Sequence, residues 1–331
     1  MMKLRHLFDN TDLAHMLLEN WEYDASSLDM FQYYRISANA IYPFKKNEEI
    51  CLLRFCPTSE KLKENIVAEL EFIGYLRSQH YQALEPVPSK TGEELVQKAT
   101  PWGEYYVSVF KRVSGKQLSE SCLDNDLVLT FGASLGHLHK LSREYIHPTT
   151  TRWTHTDVLT WIEHTLRTVS VEEGAFSELT LLRNYFVTLP SNPMNYGLIH
   201  YDFELDNVFY DPVTKSCSVI DFDDAMYHWY IMDIEQTLDS LKHDSHLAEH
   251  EFLHKKALFL EGYRSQFDLD DALFATMPVF RRFANLYGYT RIARSIQERW
   301  DNEPAWLVGL RTHLQNLLGD RSVYFGKTIE V

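Results

Sequence analysis

Two clusters of oxygen-bearing side chains stand close together in this chain. The first is His200-x-Asp202-x-x-x-x-Asn207, and the second is Asp221-Phe222-Asp223. Between them Asp211-Pro212-Val213-Thr214-Lys215 carries turn chemistry, because Asp and Pro both favour turns. Val208-Phe209-Tyr210 and Cys217-Ser218-Val219-Ile220 flank that turn as short strands. A hairpin of this kind brings Asn207 and Asp221 to the same end of the ribbon. Such a group suits phosphoryl transfer, in which an acceptor hydroxyl loses its proton while aimed in line at a γ-phosphate and divalent metal offsets the phosphate charge. Asp202 is placed to take the proton. Asn207 and Asp221 offer hard oxygens, which Mg2+ prefers, and that ion uses one or two protein groups beside waters and phosphates.

The interval from Asp202 to Asn207 is that of the protein-kinase catalytic loop, and Asp221-Phe222 stands where those enzymes carry Asp-Phe-Gly. More specifically, the stretch resembles the aminoglycoside phosphotransferase family, kinase-like small-molecule kinases that include choline, homoserine and methylthioribose kinases. That family writes the loop as His-x-Asp-x-x-x-x-Asn and replaces the final Gly with an acid, as Asp223 does here. The resemblance implies a two-lobed, protein-kinase-like α+β fold. It implies transfer of the γ-phosphate of ATP, or alternatively GTP, to a hydroxyl of a small molecule of the aminoglycoside, amino-alcohol or homoserine kind. Asp202 is then the base, His200 packs the catalytic loop beside it, and Asn207 and Asp221 hold Mg2+, with Asp223 as a third oxygen source.

The elements that must position these residues are legible in outline. Asp12 to Glu22 reads as a helix, with Leu13, Met16, Leu17 and Trp21 at helical spacing. Phe31 to Ile36, Ala40 to Phe44 and Ile50 to Phe55 read as strands, and Leu95 to Gln97 and Tyr105 to Phe110 as two more. With one long helix over Lys61 to Gln79 this gives a five-stranded antiparallel N-lobe over residues 1–112. The turn Ser37-Ala38-Asn39 would lie over the phosphates and, although glycine-free, can offer backbone N–H groups. Arg54 falls where kinases carry the strand lysine and keeps its charge as a planar fork. Glu69 matches the family's helix glutamate that pairs with that cation; Glu71 points about 200° away around the helix. Lys111 to Gly115 reads as the hinge, so Phe110 and Arg112 are the positions expected to flank the adenine.

Residues 113–331 read as a mainly helical C-lobe carrying the catalytic hairpin. Helices are expected over Leu127 to Ser142, Trp153 to Thr168, Glu178 to Leu189, Glu249 to Phe267, Pro278 to Arg299 and Trp306 to Leu318, and another opens at Tyr230. Gly136-His137-Leu138-His139-Lys140-Leu141-Ser142 and Leu260-Glu261-Gly262-Tyr263-Arg264 also resemble the family. So does Asp233, whose counterpart holds the catalytic loop by accepting backbone N–H bonds.

Composition narrows the partners. The 331 residues carry a formal charge of −15, which argues against a nucleic-acid partner, whose phosphates require Lys and Arg. It is compatible with a cationic acceptor, for which Glu235, Asp239 and Asp244 are candidates by charge alone. Four cysteines without a C-x-x-C pair suggest reduced thiols and a reducing compartment. The first residues lack the apolar core of a signal peptide, and no apolar run approaches the ~18 residues of a membrane helix. These features read as a cytoplasmic protein with no membrane partner.

Other signals compete. Gly132-Ala133-Ser134-Leu135-Gly136 matches the G-x-S-x-G elbow of serine hydrolases, with Ser134 as nucleophile, but that motif needs a strand before it and a helix after it. The apolar period instead runs through it as one helix. His243, His246, His250 and His254 share a helical face that could bind zinc, though acids surround them and a solvated face is the simpler reading. Gly326-Lys327-Thr328 echoes a P-loop ending without its earlier glycine. Within the kinase-like fold, a protein Ser/Thr kinase and a nucleotide-binding module without transfer activity are the alternatives; the intact Asp202, Asn207 and Asp221 count against the second.

Overall fold

The computed structural model describes residues 1–169, 171–243, 245 and 247–327. Helix α1 (Thr11–Leu18) is started by Asn10, whose side chain accepts the Leu13 N–H, and it ends earlier than its apolar spacing suggests. The sheet of the N-lobe contains β1 (Arg35–Ile36), β2 (Ala40–Lys46), β3 (Glu49–Pro57), β4 (Glu85–Pro86), β5 (Val96–Thr100) and β6 (Gly103–Lys111), with helix α2 (Lys63–Ser78) following β3. The strand order is β1-β2-β3-β6-β4, with β5 also on β6, and every pairing is antiparallel. Inward residues of β2 and β3, among them Tyr42, Phe44 and Leu53, are fully buried with Leu17 and Trp21 of the α1 region. Alternation along a strand puts such residues on one face.

The first expected strand is largely replaced. Ala25–Tyr33 forms a 3-10 helix, and pairing starts only at Arg35. Local polar bonds explain the change. The Asp24 carboxylate accepts the Asn47 and Glu48 N–H groups, and Ser27 Oγ accepts from Lys45 N. The segment therefore caps the β2–β3 turn, and Phe31 packs its ring 5.1 Å from Tyr42. The sixth strand, β4, has two residues, too few to show a period.

Part of the segment before α1 leaves the N-lobe. Leu4 is buried with Ile292, Leu307 and Leu314, and Phe8 stacks on Trp300 at 4.6 Å. Residues 4–8 therefore lie against the C-lobe, although they precede the sheet in sequence.

Past β6 the chain runs through β7 (Lys116–Gln117) into α3 (Asn125–Glu144), whose N-cap Asp124 accepts the Leu127 N–H. Then come α4 (His155–Thr168), opened by a Thr154/Asp157 capping box, and α5 (Glu173–Thr188). Strands β8 (Tyr196–Ile199), β9 (Val208–Asp211), β10 (Ser216–Val219) and β11 (Met226–Trp229) follow, then α6 (Ile231–His243), α7 (Glu249–Arg264), α8 (Met277–Ser295) and α9 (Ala305–Ser322). β9 and β10 form the expected hairpin, in register Val208 to Val219, with β7 on the other side of β9. β8 pairs with β11. Among the described residues no helix is long and apolar enough to cross a membrane.

Helices α3 and α7 touch backbone to backbone. A Cβ on Gly132 would lie 1.9 Å from the Phe259 carbonyl oxygen, and one on Gly262 would lie 2.0 Å from that of Leu129. This explains the hydrolase-like motif. Ser134 sits inside α3, with no strand-to-helix elbow, and its hydroxyl meets the Tyr81 hydroxyl at 3.1 Å. The serine-nucleophile alternative fails on that geometry; the glycines serve helix packing.

Candidate active site

The hairpin does what its spacing predicts. Ile220 N donates to Asn207 O at 3.0 Å, so the residues on either side of it, Asn207 and Asp221, end the same ribbon. Asn207 Nδ2 donates to Asp202 Oδ2 at 2.9 Å and to the Asp202 carbonyl at 3.0 Å. This fixes the Asp202 carboxylate and leaves Asn207 Oδ1 as the free acceptor. Asp221 has φ 64°, a left-handed conformation, and its carboxylate receives no hydrogen bond from a described residue.

Asp233 anchors the loop as expected. Its two oxygens accept the N–H groups of His200 (2.8 Å) and Tyr201 (2.7 Å), and His139 Nε2 lies 3.1 Å away. Tyr263 Oη in turn meets His139 Nδ1 at 2.9 Å. Gln236 and Thr237, one and a half turns of α6 or less from Asp233, bond the Tyr201 and Phe203 carbonyls. His200 is wholly buried. Its Nε2 donates to Ile220 O at 2.9 Å and its Nδ1 accepts the Asp202 N–H at 3.2 Å. It braces Asp202 against the end of β10 and does not itself reach open space. Burial lowers its pKa against the pull of Asp233, so it is neutral near pH 7.

On the N-lobe side, Arg54 and Glu69 form a buried, two-pronged ion pair, with Arg54 Cζ 4.6 Å from the Phe110 ring centroid. Arg54 Nε also reaches Ser108 Oγ at 3.3 Å. Glu71 points elsewhere, to Thr149 and to Thr150 N. Ser37 is exposed, whereas Asn39 is buried with its Oδ1 turned inward. At the hinge, Phe110 is buried beneath Arg54 and not open to a base. The Arg112 N–H donates to Ile50 O at 2.9 Å.

Three residues escaped the sequence reading. The apolar period predicts a helix from Lys61, but α2 begins at Lys63 and Lys61 stays in the preceding turn. Its Nζ lies 2.5 and 2.6 Å from the Asp223 oxygens and 2.7 Å from Asn39 Oδ1. Arg152 is buried and donates to the backbone carbonyls of Asn65, Ala225 and Asp223. It thus ties α2 to the Asp-Phe-Asp turn. Arg291 pairs with Asp224 at 2.7 Å, over the Tyr287 ring. A second acid after Asp223 was the one visible hint of this last pair.

Electrostatics separates the three aspartates. Burial drives the Asp202 carboxyl well above the ordinary range, helped by Glu204, Asp224 and Asp221 and opposed by Arg291. Burial, then Asp223, raises Asp221 to about 6. Burial also pushes Asp223 up, but Lys61 and Arg54 together outweigh it and hold that carboxyl below its usual value. Among the described residues no three His, Cys, Asp or Glu side chains converge as a protein-only metal cage would require. The donor set still fits Mg2+, which needs one or two protein oxygens: among the described residues, none donates to Asn207 Oδ1 or to the Asp221 carboxylate. His243 and Asp239 lie 3.6 Å apart on an exposed face, while His246, Asp244 and Thr328 lie outside the described residues.

A cavity of ≈ 420 Å³ opens beside Asp223 and Asp224. Trp153, Trp161 and Tyr287 give it aromatic walls, and Glu60, Arg291 and Arg294 line it as well. Asp202 is not among its walls. Neither Glu235 nor Asp239 lines it; Glu235 is buried and paired with Arg281 at 2.5 Å. The attraction of an amine by those two acids therefore has no support in the geometry.

The chain belongs to the phosphotransferase enzyme family known as APH, whose family model matches residues 42–264. It is 25% identical over 308 residues to the amicoumacin kinase of Bacillus subtilis (strain 168), covering 88% of each chain. Among solved structures it is similar to an amicoumacin kinase, hAmiN, in complex with AMP-PNP, Ca2+ and Ami, at a TM-score of 0.75 and 21% identity over 95% of this chain and 94% of that one. A microcompartment-associated aminopropanol kinase superposes at a TM-score of 0.65 with 20% identity, over 95% of this chain and 97% of the other. The kinase-like fold inferred from the catalytic loop is thus the fold of the protein, and the chain is a phosphotransferase.

Proposed function

We propose that this phosphotransferase moves the γ-phosphate of ATP to a hydroxyl of a small, amine-bearing molecule that lies in the cavity beside Asp223 and Asp224 and extends beyond its walls to reach Asp202. One observation carries the reading most: Asp202 is gripped by the Asn207 amide at the hairpin end shared with Asp221. A carboxylate fixed in this way can hold and accept the proton of an attacking hydroxyl. Burial strengthens the interactions around it.

In this reading residues 1–112 cover the nucleotide, apart from the initial segment that crosses to the C-lobe, and residues 113–331 supply the catalytic loop and acceptor space. Arg54 meets phosphate oxygens and Glu69 orients Arg54. His200 and Asp233 keep the loop in shape. Asn207 and Asp221 are the residues that would hold Mg2+, with Asp223 as a further oxygen source; the ion, when bound, offsets charge on the phosphates. The remaining gain comes from positioning and fixed charge.

A cavity of ≈ 420 Å³ with Trp153, Trp161 and Tyr287 as walls favours a compact acceptor over a polypeptide. Asp224 and Glu60 on those walls are already paired with Arg291 and Arg294, so the amine rests on the relatives named for amicoumacin and aminopropanol. The test is a consumption screen with ATP and GTP over amino alcohols, aminoglycosides, sugars and Ser/Thr peptides. Turnover with an amine-bearing alcohol is expected, falling at least ~10²-fold in Asp202→Asn with ATP affinity retained. Turnover with peptides alone, or full activity of Asp202→Asn, would reject the assignment.

A further inference from the structure

We propose that Lys61 is a second phosphate-gripping cation. It balances Asp223 while no nucleotide is bound and turns to the terminal phosphate once a divalent cation occupies Asp223. The inference rests on the kinase reading above and extends it to a residue outside the family's catalytic motifs.

Lys61 Nζ touches three oxygens, two on Asp223 and one on Asn39. An ammonium has three N–H donors, so all are committed, and they bridge the turn before β2 to the turn after β10. The pair is secluded, with 15% of the Lys61 side chain and 11% of that of Asp223 exposed. Lys61 also lines two spaces at once. One is the large cavity beside Asp223; the other is a small recess shared with Asn39, Arg54 and Ser108. The ammonium therefore stands where the acceptor space meets the phosphate side of the cleft.

Two arguments make this more than a tie between lobes. Arg54 alone is a poor match for a triphosphate, since both of its Nη groups serve Glu69 and its Nε serves Ser108. Of its five N–H donors, two remain. Moreover, Asp223 cannot serve an ammonium and a divalent cation on the same oxygens without strong repulsion between the two cations. Lysine is suited to yield: its charge is compact and its four-carbon stem is flexible, whereas an arginine fork is held in a fixed plane. A terminal phosphate arriving with the cation supplies the anion that the displaced ammonium needs.

The test measures binding, not turnover. Full-length wild type, K61M and K61R are titrated calorimetrically with AMP-PNP and with ADP in Mg2+, and their melting is followed with and without Mg2+. K61M should bind AMP-PNP roughly tenfold or more weakly, the loss expected for one charge-assisted hydrogen bond, and ADP within about twofold of wild type on the same reasoning. K61R should recover part of the AMP-PNP preference. Metal-free K61M should melt below wild type, because Asp223 is left unpaired, and Mg2+ should raise its melting temperature by more than it raises that of wild type. Equal losses for both nucleotides, or no loss for either, would show a static tie and overturn the proposal. Should K61M not fold, K61M/D223N compared with D223N carries the same AMP-PNP-to-ADP comparison with both charges removed. A wild type that binds neither nucleotide overturns the kinase reading and this one with it. A wild type that binds both, with K61M unaltered, overturns this one alone.

Discussion

Arg54 and Glu69 meet as two parallel hydrogen bonds, Nη1 to Oε1 at 2.7 Å and Nη2 to Oε2 at 2.9 Å. The side chains are 9% and 0% exposed, so neither charge has water to fall back on. Removing one partner of such a pair strands the other and costs about 3–5 kcal/mol. Glu69→Gln should therefore lower the unfolding free energy by about that amount, measured by chemical denaturation. Arg54→Lys should cost less stability, because the charge survives, yet raise the KM for ATP about tenfold through loss of the bidentate fork. Equal KM values for Arg54→Lys and wild type would remove Arg54 from the nucleotide site.

Asp221 gives a prediction that sets stability against metal binding. Burial and Asp223 raise its carboxyl to about 6, so the folded protein holds a proton there more tightly than the unfolded chain does. Between the ordinary carboxylate range and about pH 6 this group makes the metal-free fold less stable as pH rises, and above that window the cost is fully present. Asp221→Asn removes the cost, and asparagine tolerates the left-handed backbone found there. The metal-free variant should melt above wild type at pH 7, by roughly 1–3 kcal/mol in stability, and Mg2+ should no longer raise its melting temperature. Calorimetry with chelator and with Mg2+ reads both effects. A Mg2+ response equal to that of wild type would rule out Asp221 as a ligand.

The buried histidines act with the opposite sign. Burial lowers the pKa of His139, His200 and His228, and takes His155 down to about 4. The unfolded chain therefore binds more protons than the fold as pH drops below about 6.5, the ordinary value for histidine. Stability contributed by these neutral rings is complete above that value and is lost on acidification towards pH 4. Three raised carboxyls, Asp202, Asp221 and Glu235, oppose the trend but are outnumbered by these rings together with the buried Met1 amino group, taken down to about 5. The melting temperature should fall steadily from pH 7 to pH 5. The slope should be shallower in His155→Gln, which leaves the Tyr196 hydroxyl a polar neighbour without a titrating ring. A flat profile in wild type would show that these rings take up protons without strain.

Which parts of the site could be read in advance follows from how far each contact reaches along the chain. The interval from Asp202 to Asn207 and the hairpin to Asp221 are local, and turn residues fix them. Glu69 could be picked over Glu71 because helical geometry separates the two by about 200°. Lys61 reaches Asp223 across 162 residues from an irregular turn, and no period or motif marks that kind of contact. Arg152 bonds to backbone carbonyls alone, and a carbonyl leaves no trace in residue type. The segment Phe31 to Tyr33 has the composition of a strand, but Asp24 and Ser27 bind the β2–β3 hairpin and fold it as a 3-10 helix; tertiary contacts override propensity of this kind.

The pattern Gly132-x-Ser134-x-Gly136 offers the last test, because its two readings part cleanly. As a nucleophile elbow it would make Ser134 indispensable. As a helix seam it makes the glycines so. A Cβ on Gly132 would come 1.9 Å from the Phe259 carbonyl oxygen, and a backbone oxygen cannot swing aside as a side chain can. Gly132→Ala must therefore push α3 and α7 apart, against a gain of up to about 1 kcal/mol from the better helix propensity of alanine. A net loss of about 2 kcal/mol or more is expected, as for other overpacked cores. Because α7 carries Tyr263, which orients His139 against Asp233, the strain should also reach the catalytic loop as a lower kcat. Ser134→Ala loses one hydroxyl contact with Tyr81 and should keep full turnover at a cost near 1 kcal/mol. Denaturation curves and rates on the two variants decide the matter: a dead but well-folded Ser134→Ala would restore the hydrolase reading, and a wild-type Gly132→Ala would dissolve the seam.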